Sequence, residues 1–155
     1  MRIAIGADHG GYTLKKDLVS FLNEQGYEVL DFGTESLESV DYPDFAEKVG
    51  QAIQADQADR GILICGSGVG VCISANKMKG IYAAICHDPY SARQGVEHDG
   101  MNVLCLGGRI VGDELARVLA ATFLEAEYLG DRPGGERFAR RVDKFKLIEE
   151  GGRIS

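Results

Sequence analysis

Gly61-Ile62-Leu63-Ile64-Cys65-Gly66-Ser67-Gly68-Val69-Gly70 is the stretch on which the fold turns. Its first five residues are apolar without alternation, the pattern of a strand covered on both faces. Three alternating glycines then turn the chain, and helical spacing follows over residues 69–77. A strand, a glycine turn and a helix in direct succession are half of a βαβ unit, so the same unit is expected on either side.

It is found on both sides. Upstream, residues 2–7 read as a strand. Residues 13–25 read as a helix with Leu14, Leu18, Phe21 and Leu22 on one face, stopped by Gly26. A second strand is expected at 28–32, a polar loop at 33–40, and a second helix at 44–55 built on Phe45, Val49, Ala52 and Ile53. Downstream, strands at 81–86 and 102–106 alternate with helices at 89–97 and 113–128. A last helix at 136–150 has no strand after it, and either covers its own subunit or reaches a partner. Alternation at this spacing predicts an α/β chain: a three-layer, doubly wound (Rossmann-like) fold of about five parallel strands, with helices on both faces and an extra C-terminal helix. One domain over residues 1–155 is expected, since there is no linker, repeat or low-complexity segment.

The composition narrows the function. Seventeen basic against 24 acidic residues give a net charge of −7. An acidic chain argues against nucleic-acid and membrane-surface binding, which reward clustered Lys and Arg. No apolar run reaches the length of a membrane helix, and residues 1–6 have no signal-peptide layout. A cytoplasmic protein is expected. Cys65, Cys72, Cys86 and Cys105 form no CxxC pair, so neither a zinc ribbon nor a redox dithiol is expected. His9, His87 and His98 lack metal-ligand spacing, and no metal site is expected.

A doubly wound sheet binds ligands at the carboxyl ends of its strands. There the sequence places Asp8 and His9, Cys65, His87 and Asp88, and Arg109. Gly66-Ser67-Gly68-Val69-Gly70 lets backbone amides approach an anion, and the following helix N-terminus favours an oxyanion or a thiolate at that point. The alternative is a tight turn that simply needs glycine. The loop is not a P-loop or a GxGxxG fingerprint, because Val71 stands where each needs another residue. The same Val71 occupies the arginine position of a cysteine phosphatase, and Cys65 and Val69 replace the glycines of a nucleophile elbow.

Three further clusters each carry two readings. Asp8-His9-Gly10-Gly11 either contacts ligand hydroxyls or phosphate, or caps the first helix through Asp8. His98-Asp99 either moves protons near neutral pH or is a surface histidine at a helix C-terminus. Arg132, Arg137, Arg140 and Arg141 either bind a phosphate, with Arg137 and Arg141 on one helix face, or pair with Asp131, Glu136 and Asp143.

Taken together, residues 3–11 (IAIGADHGG), Asp41-Tyr42-Pro43, residues 61–70, Ala75-Asn76-Lys77, Glu97-His98 and Asn102-Val103-Leu104 resemble ribose-5-phosphate isomerase type B. The wider family includes isomerases of galactose 6-phosphate and allose 6-phosphate. The resemblance covers almost the whole chain, in order. It implies metal-independent and cofactor-free interconversion of ribose 5-phosphate and ribulose 5-phosphate through a cis-enediol. It implies Cys65 as the base, His98 in ring opening, and Gly66, Ser67, Gly68, Val69 and Gly70 as the anion hole. Asp8, His9 and Tyr42 are implied at the sugar, and Arg109, Arg137 and Arg141 at the phosphate. A homodimer or dimer of dimers with shared sites is implied too.

Asp99 stands where the family usually has Asn, and an ionised carboxylate cannot donate to a sugar oxygen as an amide can. It keeps open an isomerase of another phosphorylated aldose: a tetrose phosphate, allose 6-phosphate or galactose 6-phosphate. Phe138 replaces a common histidine, and a slightly long 130–135 loop makes Arg140 an alternative to Arg141. Asp99 and Phe138 also motivate a third reading, a non-catalytic sugar-phosphate-binding subunit.

Overall fold

The structure, a computed structural model, describes residues 1–154. Five strands, β1 (Arg2–Ala7), β2 (Glu28–Asp31), β3 (Arg60–Cys65), β4 (Ala83–Ile85) and β5 (Val103–Gly107), form one sheet in the order β2-β1-β3-β5-β4. Every neighbouring pair is parallel. Between and after them run α1 (Tyr12–Glu24), α2 (Tyr42–Gln54), α3 (Val69–Ala75), α4 (Pro89–Asp99), α5 (Asp113–Glu125) and α6 (Glu136–Glu149).

Side-chain alternation along the strands divides the core in two. Ile3, Ile5, Ile62, Ile64, Leu104 and Leu106 pack under α1, α4 and α5. Ala4, Leu63, Cys65, Val103 and Cys105 pack under α2 and α3. Both faces are therefore apolar, which is why β3 and β5 read as unbroken hydrophobic runs. From β1 the chain steps one way to β2, and β3 opens the other half of the sheet. The switch point lies between the carboxyl ends of β1 and β3, where Ala7 pairs with Ile64.

The expected elements are present, with shifted ends. Helix α3 stops at Ala75 because Asn76 turns its side chain to β4, donating to the Ala83 carbonyl at 2.8 Å and accepting from the Ala83 amide at 2.9 Å. Strand β4 begins two residues late because the Tyr82 amide is taken by the Asn102 side chain at 2.8 Å. Helix α5 ends at Glu125, and Ala126 turns extended, its carbonyl accepting from Arg60 at 2.7 Å. Helix α4 runs on to Asp99, which takes His98 and Asp99 into its last turn. Helix α6 covers its own chain, burying Phe138 and Val142 and setting Phe145 edge-on to Tyr82 with ring centroids 4.9 Å apart.

Candidate active site

A cleft of about 400 Å³ opens at the switch point, lined by Asp8, Tyr42, Cys65, Gly66, Ser67, Gly70, Arg109 and Ile110. That volume suits a small metabolite. Strand β1 delivers Asp8 and β3 delivers Cys65. The Cys65–Gly107 register pair sets the turn bearing Arg109 beside the glycine loop, with the Arg109 amide donating to the Gly66 carbonyl at 3.0 Å. Tyr42 enters from the first residue of α2, two residues earlier than the apolar spacing alone suggested. Its ring lies where a Cβ on Gly70 would be, 2.7–2.9 Å from that position, so only glycine lets the two meet.

Cys65 is 5% exposed. Its sulfur sits on the cleft floor and accepts from the Gly68 amide at 3.1 Å. Gly68 has φ of +82°, a left-handed conformation that glycine adopts without steric cost. The amides of Gly66, Ser67 and Gly70 donate to no protein acceptor among the described residues, leaving three N–H groups at the cleft wall. Helix α3 is only seven residues long, so the loop amides themselves, more than a helix dipole, make the place receptive to an anion. Arg109 is exposed and makes no ion pair among the described residues.

Asp8 does not cap α1, which starts from Gly11 without a side-chain cap. Its Oδ1 accepts from the Gly10 and Gly11 amides at 2.8 and 3.2 Å, closing the turn into α1, while the residue also lines the cleft. His9 is not on the cleft wall. Its Nδ1 accepts from the Val40 amide at 3.2 Å and so ties the 33–41 loop down next to Tyr42. Gly68 and Val69 are in the loop but not in the lining, and Val69 is exposed. His87 props the sheet, accepting from the Gly107 amide at 3.0 Å. Beneath the loop, a hydrogen bond from the Cys105 thiol holds Cys72 down at about 7, against an ordinary 9.0. The same bond and burial push Cys105 well up.

The remaining candidates lie elsewhere. Helix α4 starts at the carboxyl end of β4 and runs back antiparallel to the strands. Its last turn, with His98 and Asp99, is therefore at the opposite end of the sheet, roughly 16 Å along the 11-residue helix. There His98 stacks on Phe138 of α6 with centroids 4.1 Å apart and planes 17° from parallel. The Arg137 guanidinium lies 4.6 Å from the same ring. Arg141 is exposed one turn further along. Arg140 lies on another face, with Glu136, Asp143 and Lys144. A single chain thus holds two clusters, Asp8–Tyr42–Cys65–Arg109 and His98–Phe138–Arg137–Arg141, and does not join them. Gln94, whose amide is 2.9 Å from His98 Nδ1, carries no signal in the sequence beyond its place four residues before His98.

A model of the Ribose/Galactose Isomerase family matches residues 3–145. The chain belongs to the ribose/galactose isomerase family. It is an enzyme of the aldose–ketose isomerase class. It is 45% identical to ribose-5-phosphate isomerase B of Escherichia coli (strain K12) over 149 residues, covering 96% of this chain and 97% of that protein. Its fold matches the ribose-5-phosphate isomerase B of Clostridium thermocellum with a TM-score of 0.92 and 50% identity, over 97% of this chain and 99% of that one. It also matches the Mycoplasma genitalium ribose-5-phosphate isomerase B with bound ribulose-5-phosphate, at a TM-score of 0.88 and 40% identity over 96% of each chain. Among the described residues no helix is long and apolar enough to cross a membrane, and no three His, Cys, Asp or Glu side chains gather as metal ligands.

Proposed function

We propose that the whole chain, 1–155, acts as one sugar-phosphate isomerase domain that interconverts ribose 5-phosphate and ribulose 5-phosphate in the cytoplasm, without metal or cofactor. The observation that carries this reading is the Cys65 sulfur on the floor of a cleft walled by free amides and an unpaired Arg109. The Cys65 thiolate takes the proton from C2 of the open-chain aldose. The C2–H electrons form the C1=C2 bond, and the carbonyl electrons move onto O1. That oxyanion lies against the amides of Gly66, Ser67 and Gly70, each donor contributing about 2.7–4 kcal/mol to the transition state. The C2 hydroxyl proton passes to O1, Cys65 returns its proton to C1, and the ketone is left at C2. Asp8 and Tyr42 hold sugar hydroxyls. His9 acts from behind the wall by fixing the Val40 loop.

The phosphate-binding arginines of α6 and the ring-opening histidine are supplied by a second copy. Val69 and Ile73 on α3, Ile110 at the cleft and Tyr90 on α4 are exposed apolar side chains flanking the carboxyl-end cleft, a surface suited to self-association. In a two-fold homodimer, or a dimer of such dimers, each cleft receives His98, Asp99, Arg137 and Arg141 from its partner. Four free cysteines fit a reducing compartment. Asp99 favours a second reading, in which the preferred aldose phosphate is a tetrose or hexose phosphate; the family's own range, from ribose to galactose, supports it.

Purified protein is expected to turn ribose 5-phosphate into ribulose 5-phosphate in the presence of a chelator. The Cys65→Ala variant is expected to lose the reaction and keep the sugar phosphate bound. Mixing and re-associating Cys65→Ala with His98→Ala should restore about a quarter of wild-type activity, because half the dimers are mixed and each has one intact site. No recovery on mixing refutes the shared site, and full activity in Cys65→Ala refutes the base.

A further inference from the structure

His98 and Gln94 are one helical turn apart on α4, with the Gln94 amide 2.9 Å from Nδ1. Both residues are half-buried. Phe138 fixes the plane of the imidazole by stacking at 4.1 Å. Of the two ring nitrogens, only Nδ1 is engaged among the described residues, so Nε2 is the free one. A half-turn of the Gln94 amide puts either its N–H or its oxygen in the same place against Nδ1. The two choices are not equivalent. An N–H donor suits only a neutral ring with its proton on Nε2. An oxygen acceptor suits Nδ1–H, which is present in the charged ring and in one neutral tautomer. Only the acceptor keeps its bond while Nε2 gains and loses a proton.

We propose that Gln94 is the positioning residue of His98, accepting from Nδ1–H and leaving Nε2 as the atom that carries the proton during opening of a cyclic sugar phosphate. This rests on the isomerase reading above. Nε2 of neutral His98 takes the proton from the anomeric hydroxyl. The electrons left on O1 form the C1 carbonyl, the C1–O4 bond breaks with its pair going to O4, and the proton on Nε2 passes to O4. The histidine ends as it began.

Two reactions separate this role from a structural one. Ribose 5-phosphate is largely a furanose and needs opening. Ribulose 5-phosphate carries its phosphate on the oxygen that would close a furanose, so it stays open, and exchange of its C1 proton with deuterated solvent needs Cys65 and the phosphate-binding arginines but no ring opening. Gln94→Leu is expected to lower kcat on ribose 5-phosphate by about tenfold or more, the usual scale for losing a partner that orients a working histidine, with KM little changed. The exchange rate on ribulose 5-phosphate should stay within about twofold of wild type. Gln94→Glu, which keeps an acceptor, should restore most of kcat. Equal loss of both reactions, loss of neither, or failure of Gln94→Glu to outperform Gln94→Leu overturns the inference. Independently of any variant, ¹⁵N NMR of the wild-type protein should find the neutral His98 ring protonated on Nδ1; a proton on Nε2 instead overturns it too. A wild-type protein inert toward both sugars is a distinct result and overturns the isomerase reading itself.

Discussion

Gly26 and Gly68 make a controlled pair. Their φ angles are +86° and +82°, so an alanine at either position meets the same backbone strain, about 1–2 kcal/mol. Their surroundings differ. A Cβ on Gly26 has nothing within 4 Å, whereas one on Gly68 lies 3.0 Å from the Leu106 carbonyl carbon and 3.2 Å from the Gly107 nitrogen and the Leu106 oxygen. Those atoms are backbone of the interior strand β5 and cannot swing aside. Overpacking against such a wall adds about 1–3 kcal/mol. Gly26→Ala is thus expected to cost about 1 kcal/mol and Gly68→Ala about 3 kcal/mol. For a chain of this size the second corresponds to a Tm drop of roughly 6–12 °C. Urea unfolding followed by circular dichroism should show both midpoints lowered at constant m, the second further. Because the Gly68 amide is the hydrogen-bond donor to the Cys65 sulfur, only Gly68→Ala should also lose kcat, by about tenfold or more. Equal midpoints with full activity in both variants would refute the contact and the role given to the loop.

Lys15 is 1% exposed, with Nζ 2.7 Å from both Asp31 oxygens and 3.5 Å from Glu35. Lys15→Met should cost about 2 kcal/mol by removing charge-assisted hydrogen bonds to a partly exposed carboxylate that the Gly33 amide still reaches, read by urea midpoints. Arg60 donates to the Phe123 and Ala126 carbonyls at the end of α5. Arg60→Met should cost about 2 kcal/mol of stability at unchanged kcat, since it lies at the end of β3 away from the cleft. The Cys72 thiol, held down at about 7 by the Cys105 hydrogen bond, should be alkylated at a rate that rises through neutral pH and then levels. Burial holds Cys86 up at about 11, so mass spectrometry should find it unlabelled until the protein unfolds.

The sheet was legible because period and punctuation agree: each strand is an apolar run, each helix has one apolar face, and glycines or polar loops divide them. The boundaries slipped where a side chain replaced a backbone partner, as Asn76 and Asn102 do around β4. Cys65, Asp8 and Arg109 could be placed together because all three follow strands whose ends converge at the switch point. His98 could not be placed with them by the same reasoning, because a helix returning beside the sheet carries its last turn to the other end. Lys15 stands beside Lys16 in an amphipathic helix, and nothing in the spacing says that one is buried under β2 while the other faces solvent. Gln94 was invisible for a related reason. An amide four residues before a histidine is an ordinary helical neighbour until the ring's orientation is known.

The span between the two polar clusters has a consequence for dilution and for descent. No sugar phosphate is long enough to bridge opposite ends of one sheet, so under the shared-site proposal a lone folded chain is a complete scaffold carrying two unfinished half-sites. Turnover per chain should then fall with concentration even while every molecule stays native. Because each half is presented from a separate end, a duplicated gene could keep one half and let the other decay, and the two products would work only as a matched couple.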